Sequence, residues 1–135
     1  MSKKIIKKVG MFILMESDLH SAVEFYKKLG LELKFHLKDK WVEFRLGDIK
    51  IGLCPTGSEP QDRHTGIVLE VENMSQAYEQ LKEQDVVFLR EPFEAVHGVM
   101  ASIKDPGGNI LDLYEPTPEK VAELVKKVKV EEVAE

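Results

Sequence analysis

The chain has 135 residues, of which 43% are hydrophobic and 32% charged, a composition that suits one globular domain and excludes a disordered chain. Its formal net charge of −5, and the lack of a basic stripe interleaved with aromatic residues, argue against a nucleic-acid partner. No apolar run approaches the length of a membrane span, and the basic start of the chain lacks the apolar core of a signal peptide. The single cysteine, Cys54, cannot form an internal disulfide, so we expect a reducing, cytoplasmic setting.

The first half of the chain predicts the element order β-α-β-β-β. Residues 8–15 form a mostly apolar run that is typical of a buried strand. Apolar residues recur at helical spacing over residues 19–29, directly after Ser17 and Asp18, either of which suits a helix N-cap. Alternation of polar and apolar residues and a Gly-Asp turn then predict three strands, at residues 31–37, 41–46 and 49–54. The first of these strands is expected to be half-buried, and in the second Val42, Phe44 and Leu46 are expected to face the core.

The same order of elements begins again after a polar, proline-containing segment at residues 55–64, which we interpret as a linker. A strand at residues 65–72 precedes a helix at residues 75–84, for which Asn73 is the expected N-cap. The DPGGN motif at residues 105–109 predicts a tight turn between the last two strands. The three strands after this helix are expected at residues 86–89, 99–104 and 110–114.

Two copies of one motif, residues 8–54 and 64–116, therefore predict a single α+β domain. We expect each copy to form a curved mixed sheet, and the two sheets to enclose a cavity. A third helix is predicted at residues 117–130, where Thr117 suits the N-cap and Pro118 the first helical position. Its apolar stripe, expected to pack on the domain or on a second subunit, consists of Val121, Leu124, Val125 and Val128.

Two segments of the sequence carry a resemblance to a known family. They are SDLHSAVEFYKKLGL at residues 17–31 and DPGGNILDLYE at residues 105–115. Together with the repeated motif, they resemble the vicinal-oxygen-chelate superfamily, the group of glyoxalases, bleomycin-resistance proteins and extradiol dioxygenases. The resemblance implies the fold described above and a homodimer. It does not imply one reaction, because such members include lyases, isomerases, ring-opening dioxygenases and proteins that only bind a drug.

The resemblance also implies where a metal ion would bind. Metal-dependent members hold a divalent cation with His, Gln or Glu side chains from the first and last strands of each half. Carried over to this sequence, those positions are Met11, Gly52, Gly66 and Asp112, of which only Asp112 offers an oxygen ligand for a hard cation. We therefore predict no cofactor and no bound metal. A shifted register would bring in His64, two residues before Gly66, as a second donor beside Asp112.

The alternation of side chains along the strands predicts which residues line the cavity. The glycines at two of the former metal positions are expected to leave open space at its floor. The result is an apolar, methionine-containing concavity, which is the usual composition of a small-molecule site. The expected ligand-binding residues are Met11, Ile13, Trp41, Arg45, Gly52, Cys54, Gly66, Val68, Asp112 and Tyr114.

Three residues are candidates for acid–base chemistry if the protein is an enzyme: Asp112, Glu70 and His97. The leading hypothesis is a glyoxalase/bleomycin-resistance-like protein that binds a small apolar or aromatic molecule in a metal-free cavity. The alternative is a metal-dependent lyase, isomerase or dioxygenase of the same superfamily that uses His64 and Asp112 as ligands. Neither hypothesis involves a nucleic acid or a membrane.

Overall fold

A computed structural model of the chain describes residues 4–134, and the side chains of residues 4–128. It consists of two compact units, each with the element order β-α-β-β-β. The first unit extends to Gln61 and includes Pro106–Gly108, whereas the second comprises Asp62–Asp105 and the chain from Asn109 onward. The predicted fold class, two mixed sheets with a C-terminal helix in an α+β arrangement, is confirmed.

The first unit contains a four-stranded sheet and one helix. The strand order is β1-β4-β3-β2, with β1 parallel to β4 and the other neighbours antiparallel. Strands β1 and β2 are therefore the edges of this sheet. The elements are β1 (Phe12–Glu16), α1 (Leu19–Lys28), β2 (Glu32–Leu37), β3 (Trp41–Leu46) and β4 (Ile49–Pro55).

The second unit repeats this arrangement and adds the C-terminal helix. Its strand order is β5-β8-β7-β6, with β5 parallel to β8 and the other neighbours antiparallel. The elements are β5 (Arg63–Glu70), α2 (Met74–Glu83), β6 (Val87–Ala95), β7 (Gly98–Lys104), β8 (Asn109–Pro116) and α3 (Pro118–Ala134).

One apolar face of α1 covers one face of the first sheet. Asp18 begins the helix, because its carboxylate accepts hydrogen bonds from the backbone N–H groups of His20 (3.0 Å) and Ser21 (3.4 Å). Gly30, with a φ of 91°, takes the left-handed conformation expected after the helix end. We call the face of each sheet that is turned away from its unit's helix the distal face. The buried core between helix and sheet includes Leu19, Ala22, Val23 and Tyr26 with Leu14, Val42, Phe44, Ile51 and Leu53.

The second sheet is covered by α2 in the same way. Asn73 is the N-cap, as expected, and its side chain accepts a hydrogen bond from the Gln76 N–H at 3.0 Å. A second acceptor comes from the sheet, because the Met74 N–H donates to the Glu115 carboxylate at 2.6 Å. Strand β8 thus contributes to the cap together with Asn73, which fixes where α2 begins. The core of this unit includes Met74, Leu81, Ala101, Ile103, Leu111 and Leu113.

The predicted turn between β7 and β8 is held by two buried polar side chains. The Asp105 carboxylate accepts hydrogen bonds from the Asn109 backbone N–H (2.8 Å) and from its side-chain amide (3.0 Å). The three residues between them pack within the first unit, where the Gln61 N–H donates to the Gly107 carbonyl at 3.2 Å. There the α-carbon of Gly107 lies against the fully buried Glu16 of β1.

Several predicted boundaries and burial classes were wrong. Strand β1 begins at Phe12 rather than at residue 8, because its ladder with β4 begins at the pair Phe12–Ile51. Strand β6 continues past the predicted end at residue 89, because it pairs with β7 as far as Ala95 and Gly98. Strand β2, expected to be half-buried, is largely exposed, as an edge strand can be. Leu46, expected in the core, is 40% exposed.

Helix α3 begins as predicted, but its apolar stripe is only partly buried. Pro118 is its first residue, and the Val121 N–H donates to the Thr117 carbonyl at 3.1 Å. Val121, Val125 and Val128 are 37%, 48% and 47% exposed, whereas Leu124 is half-buried and lies near Val96, so the stripe packs on the domain only in part. Its packing on a second subunit stays a prediction. Among residues 4–134, the structure contains no helix with the length and apolarity of a membrane span.

We expect the variant Gly107→Ala to be destabilised. A β-carbon at this position would overlap Glu16 Oε1 and lie 3.1 Å from the Met15 carbonyl oxygen. Glu16 is fully buried, so it has little room to move aside. Overpacking of this kind costs about 1–3 kcal/mol in the free energy of unfolding, which urea denaturation measures.

Gly57→Ala is the matched control, because a β-carbon there would have no other atom within 4 Å. Equal unfolding free energies for the two alanine variants would contradict the packing described for Gly107.

The cap of α1 predicts a pH dependence of stability. The Ser21 hydroxyl, which donates to the Asp18 carboxylate at 2.8 Å, and the Ser21 N–H lower the pKa of Asp18 below its ordinary value of 3.8. Because this pKa is lower in the folded state, the cap stabilises the fold above the unfolded-state pKa, and the effect is lost as pH falls through the folded-state pKa. Between pH 7 and about pH 2, the melting temperature of the wild type should therefore fall more than that of Asp18→Asn, which cannot titrate. Parallel curves would contradict this role of the carboxylate.

Candidate functional site

The distal face of the first sheet carries an apolar area and a charged area. The strand register aligns side chains from neighbouring strands in rows across the sheet. In the apolar area Ile13, Met15 and Leu37 are 53%, 38% and 54% exposed, although each is large and hydrophobic. The rows are Ile13, Gly52, Glu43 and Phe35; Met15, Cys54, Trp41 and Leu37; and Lys50, Arg45 and Glu32.

Gly52 is not the open floor that the sequence predicted. The indole ring of Trp41 lies directly on it, where a β-carbon at Gly52 would overlap two ring carbons. The glycine therefore serves a close approach of an aromatic side chain, and the space left by the missing side chain is filled. The result is a half-buried aromatic side chain in the middle of the sheet, flanked by exposed apolar side chains.

A cavity of about 730 Å³ opens at the charged end of this face. Met11, expected on the first strand, lies in the segment before β1 and contributes to the cavity wall. Arg45 and Lys50 face each other across β3 and β4 at this end. The cavity is lined by Lys8, Val9, Gly10, Met11, Arg45, Asp48, Ile49 and Lys50.

The distal face of the second sheet has a different chemical character. The register again aligns the side chains in rows, but polar and charged residues alternate with apolar ones. The rows are Val68, Asp112, Ser102 and Arg90; Glu70, Tyr114, Met100 and Phe93; and His64, Ile110, Lys104 and Val87.

Asp112, the central acidic candidate, is oriented by its neighbour on β7. The Ser102 hydroxyl donates to Asp112 Oδ1 at 2.7 Å, the short distance typical of a charge-assisted bond. On β6, the strand next to β7, the Arg90 guanidinium stacks on the Phe93 ring at 3.5 Å from its centroid. The face thus offers a fixed carboxylate and a stacked cation, both suited to orienting a polar group of a ligand.

The other two acid–base candidates lie apart from Asp112 in the register. His97, in the turn between β6 and β7, packs its ring 5.1 Å from that of Tyr114. The Tyr114 hydroxyl also donates to the His97 carbonyl at 3.3 Å, so each residue restricts the position of the other. Glu70 pairs with Tyr114 at the end of β5 and is exposed. No described hydrogen bond joins these three candidates to one another.

Gly66 is open, as predicted, but for a reason the sequence did not reveal. It has a φ of 75° and lies in an irregularity of β5, where residues 64–68 oppose only residues 110–112 of β8. Thr65 stabilises this bulge, because its hydroxyl donates to the Ile110 carbonyl at 2.7 Å and accepts from the Ile67 N–H at 3.1 Å. A side chain at Gly66 would meet open space but an unfavourable backbone conformation.

The donor set does not fit the divalent cation of the metal-dependent members. Met11, Gly52 and Gly66 offer no oxygen or imidazole ligand, and one oxygen of Asp112 already accepts the Ser102 hydroxyl. His64 belongs to the row next to Asp112, which gives two donors at most. Within the described part of the chain, no three His, Cys, Asp or Glu side chains are grouped as a metal ion would require.

The sequence-based prediction missed several residues of these faces: Phe35, Leu37, Lys50, Arg90, Phe93, Met100 and Ser102. Period-two alternation along β7 and β4 was a sufficient signal for Ser102, Met100 and Lys50. The bulges in β2 and β6 shift the alternation there, so Arg90 and Phe93 required the register itself.

Comparison with known sequences places this architecture in a described family. The model of the Glyoxalase/Bleomycin resistance protein/Dioxygenase superfamily matches residues 8–113. An uncharacterized protein of Mycolicibacterium smegmatis is 22% identical over 108 residues, which is 80% of this chain and 93% of that protein.

Solved structures share the fold at low sequence identity. TnmS3, an antibiotic binding protein from Streptomyces sp. CB03234, superposes with a TM-score of 0.69 at 22% identity, covering 85% of this chain and all of its own. A mutant of the fosfomycin resistance protein FosX from Listeria monocytogenes, complexed with Mn(II) and 1S,2S-dihydroxypropylphosphonic acid, superposes with a TM-score of 0.74 at 15% identity. That match covers 88% of this chain and 99% of the FosX chain. At these identities the similarity is one of fold.

We expect Gly52→Ala to displace the indole of Trp41. The added β-carbon would overlap the ring, so Trp41, the single tryptophan, must move toward solvent. Its fluorescence emission should shift to longer wavelength, and the free energy of unfolding should fall by about 1–3 kcal/mol. Gly10→Ala is the control, because a β-carbon there meets no atom within 4 Å. An unchanged emission spectrum in Gly52→Ala would contradict the contact.

Proposed function

This chain belongs to the glyoxalase/bleomycin resistance protein/dioxygenase superfamily, and we propose that it binds a small apolar or aromatic molecule without a divalent cation. The observation that carries the proposal is the Trp41 indole, packed against Gly52 between exposed apolar side chains of the distal face. An aromatic ring in this position offers a stacking surface for a planar ligand.

The exposed apolar side chains around this ring support the same proposal. Ile13, Met15, Phe35 and Leu37 all belong to the two rows that contain Gly52 and Trp41. Large apolar residues grouped on one surface, rather than scattered, mark binding sites in soluble proteins. Methionine suits such a site, because its flexible, polarisable side chain adapts to ligands of different shape.

The donor chemistry supports binding without a metal ion. A divalent cation needs several oxygen or imidazole ligands, and of the four positions that supply them in metal-dependent members only Asp112 carries one. Among proteins with this fold, TnmS3 is an antibiotic binding protein and FosX a fosfomycin resistance protein. A role in small-molecule binding is therefore consistent with the fold, and we propose it in preference to the metal-dependent lyase, isomerase or dioxygenase.

A neutral two-ring aromatic probe, 2-naphthamide, tests this proposal. We expect it to quench the fluorescence of Trp41 with a saturable titration curve. Ile13→Glu, which introduces a charge beside the stacking surface, should weaken binding about tenfold, because an apolar contact is lost and a carboxylate must be desolvated. Dialysis of the protein against a chelator should leave the titration unchanged.

The matched control is Leu46→Glu, which changes a residue of similar exposure on the opposite face of the sheet. Absence of saturable binding in the wild type would overturn the proposal. A metal-to-protein ratio near one, with probe binding lost on chelation, would overturn its metal-free part.

A further inference from the structure

We propose that the cavity at the charged end of the first sheet binds the anionic group of the ligand, so that the ligand is a small apolar or aromatic molecule carrying one carboxylate, phosphonate or similar acid. This inference rests on the proposed function and specifies its ligand class. It is carried by three features of the cavity: a pair of cations on neighbouring strands, a buried guanidinium nitrogen and an adjacent apolar surface.

The pair of cations is the first feature. Arg45 and Lys50 lie directly opposite each other on β3 and β4 and share the distal face. Like charges at directly opposite positions of an antiparallel pair destabilise a sheet. Lys8, from the segment before β1, contributes a third positive charge to the same cavity. An anion between these groups would turn a repulsive arrangement into an attractive one.

The environment of Arg45 is the second feature. Its Nε is buried and, among the residues the structure describes, has no hydrogen-bond partner. A buried donor without an acceptor is costly, and a guanidinium withdrawn from water attracts an anion more strongly than a fully hydrated one. The planar guanidinium also matches the geometry of a carboxylate or phosphonate, with which it forms paired hydrogen bonds.

Among the described side chains, none of the acidic residues nearby forms an ion pair with this guanidinium. Asp48 lines the cavity, Glu43 precedes Arg45 by two residues on the same face, and Glu32 pairs with Arg45 across β2 and β3. The Glu32 carboxylate is engaged by Lys34 at 3.2 Å. Within the side chains of residues 4–128, no ion pair links Lys8, Arg45 or Lys50 to a carboxylate.

The neighbouring surface is the third feature, because it determines what the anion is attached to. Arg45 and Trp41 lie four residues apart on β3, with side chains on the same face, which separates them by about 13 Å along the strand. The one row between them holds the exposed Ile13 and the half-buried Glu43. Val9, Met11 and Ile49 add apolar lining to the cavity itself. Its volume of about 730 Å³ is within the range of small-molecule sites.

A pair of probes of equal shape and different charge tests the inference. These are 2-naphthoate, which is ionised at neutral pH, and 2-naphthamide, which is not. In a buffer of about 0.15 M ionic strength, where distant charges are screened, we expect the wild type to bind 2-naphthoate at least about tenfold more tightly, as for a charge-assisted hydrogen bond. Calorimetric titration measures both affinities.

Two variants test whether the preference for 2-naphthoate comes from the cations of the cavity. Arg45→Gln and Lys50→Gln should each reduce the affinity for 2-naphthoate by about tenfold and leave that for 2-naphthamide unchanged. Lys38→Gln, which removes one charge from the exposed turn between β2 and β3, should change neither affinity. Thermal melting curves show whether each variant is folded, and Lys50→Gln serves as the decisive variant if Arg45→Gln does not fold.

The outcomes separate the two proposals. Equal affinity of the wild type for the two probes would overturn the anion site and leave the proposed function intact. A preference for 2-naphthoate that survives in Lys50→Gln and in every folded Arg45 variant would also overturn it. Failure of the wild type to bind either probe would overturn the proposed function, and the ligand class with it.

Discussion

In each unit the first helix, α1 or α2, packs on one of the two faces of the sheet, and the binding surfaces that we propose lie on the other face. In the first unit α1 buries Leu14, Val42, Phe44 and Leu53 on one face. Because side chains alternate along a strand, the residues directly before and after each core residue point to the distal face. The residues of that face are therefore not selected for burial under α1, and they are free to carry exposed apolar, aromatic and charged side chains side by side.

The alternation was visible in the sequence, and with it most of the fold. Strand β3 agrees with its predicted bounds, and the assignment of Val42 and Phe44 to the core is confirmed. The N-cap Asn73 and the left-handed Gly30 could also be read from local residue types, whereas those types left Ser17 and Asp18 as alternatives for the cap of α1. Strand ends were less predictable. The start of β1 depends on where β4 offers a partner, and that information lies about forty residues away in the chain.

The candidate site was only partly predictable, and the two glycines show why. Gly52 and Gly66 each lie on a strand that contributes to a distal face, and both were expected to leave open space at the floor of the cavity. The structure fills the space at Gly52 with an indole from the neighbouring strand, whereas Gly66 takes a positive φ in a bulge that Thr65 stabilises. A glycine in a strand signals either a close approach or an unusual backbone conformation, and the choice depends on the side chain that the register places beside it. Register is a property of strand pairs, which a single sequence does not display.

The difference between what residue types indicate and what strand register determines applies to charge as well. A net charge of −5 argues against a polyanionic partner such as nucleic acid, yet it says nothing about Arg45 and Lys50, which the register places opposite one another. At an ionic strength of about 0.15 M, charges interact appreciably over only about 8 Å, so a ligand in the cavity is affected by the few groups that line it rather than by the chain's total. A sheet that keeps two cations directly opposite each other gives up stability. An anion supplied from outside the chain, as proposed for the cavity, would compensate for this loss of stability.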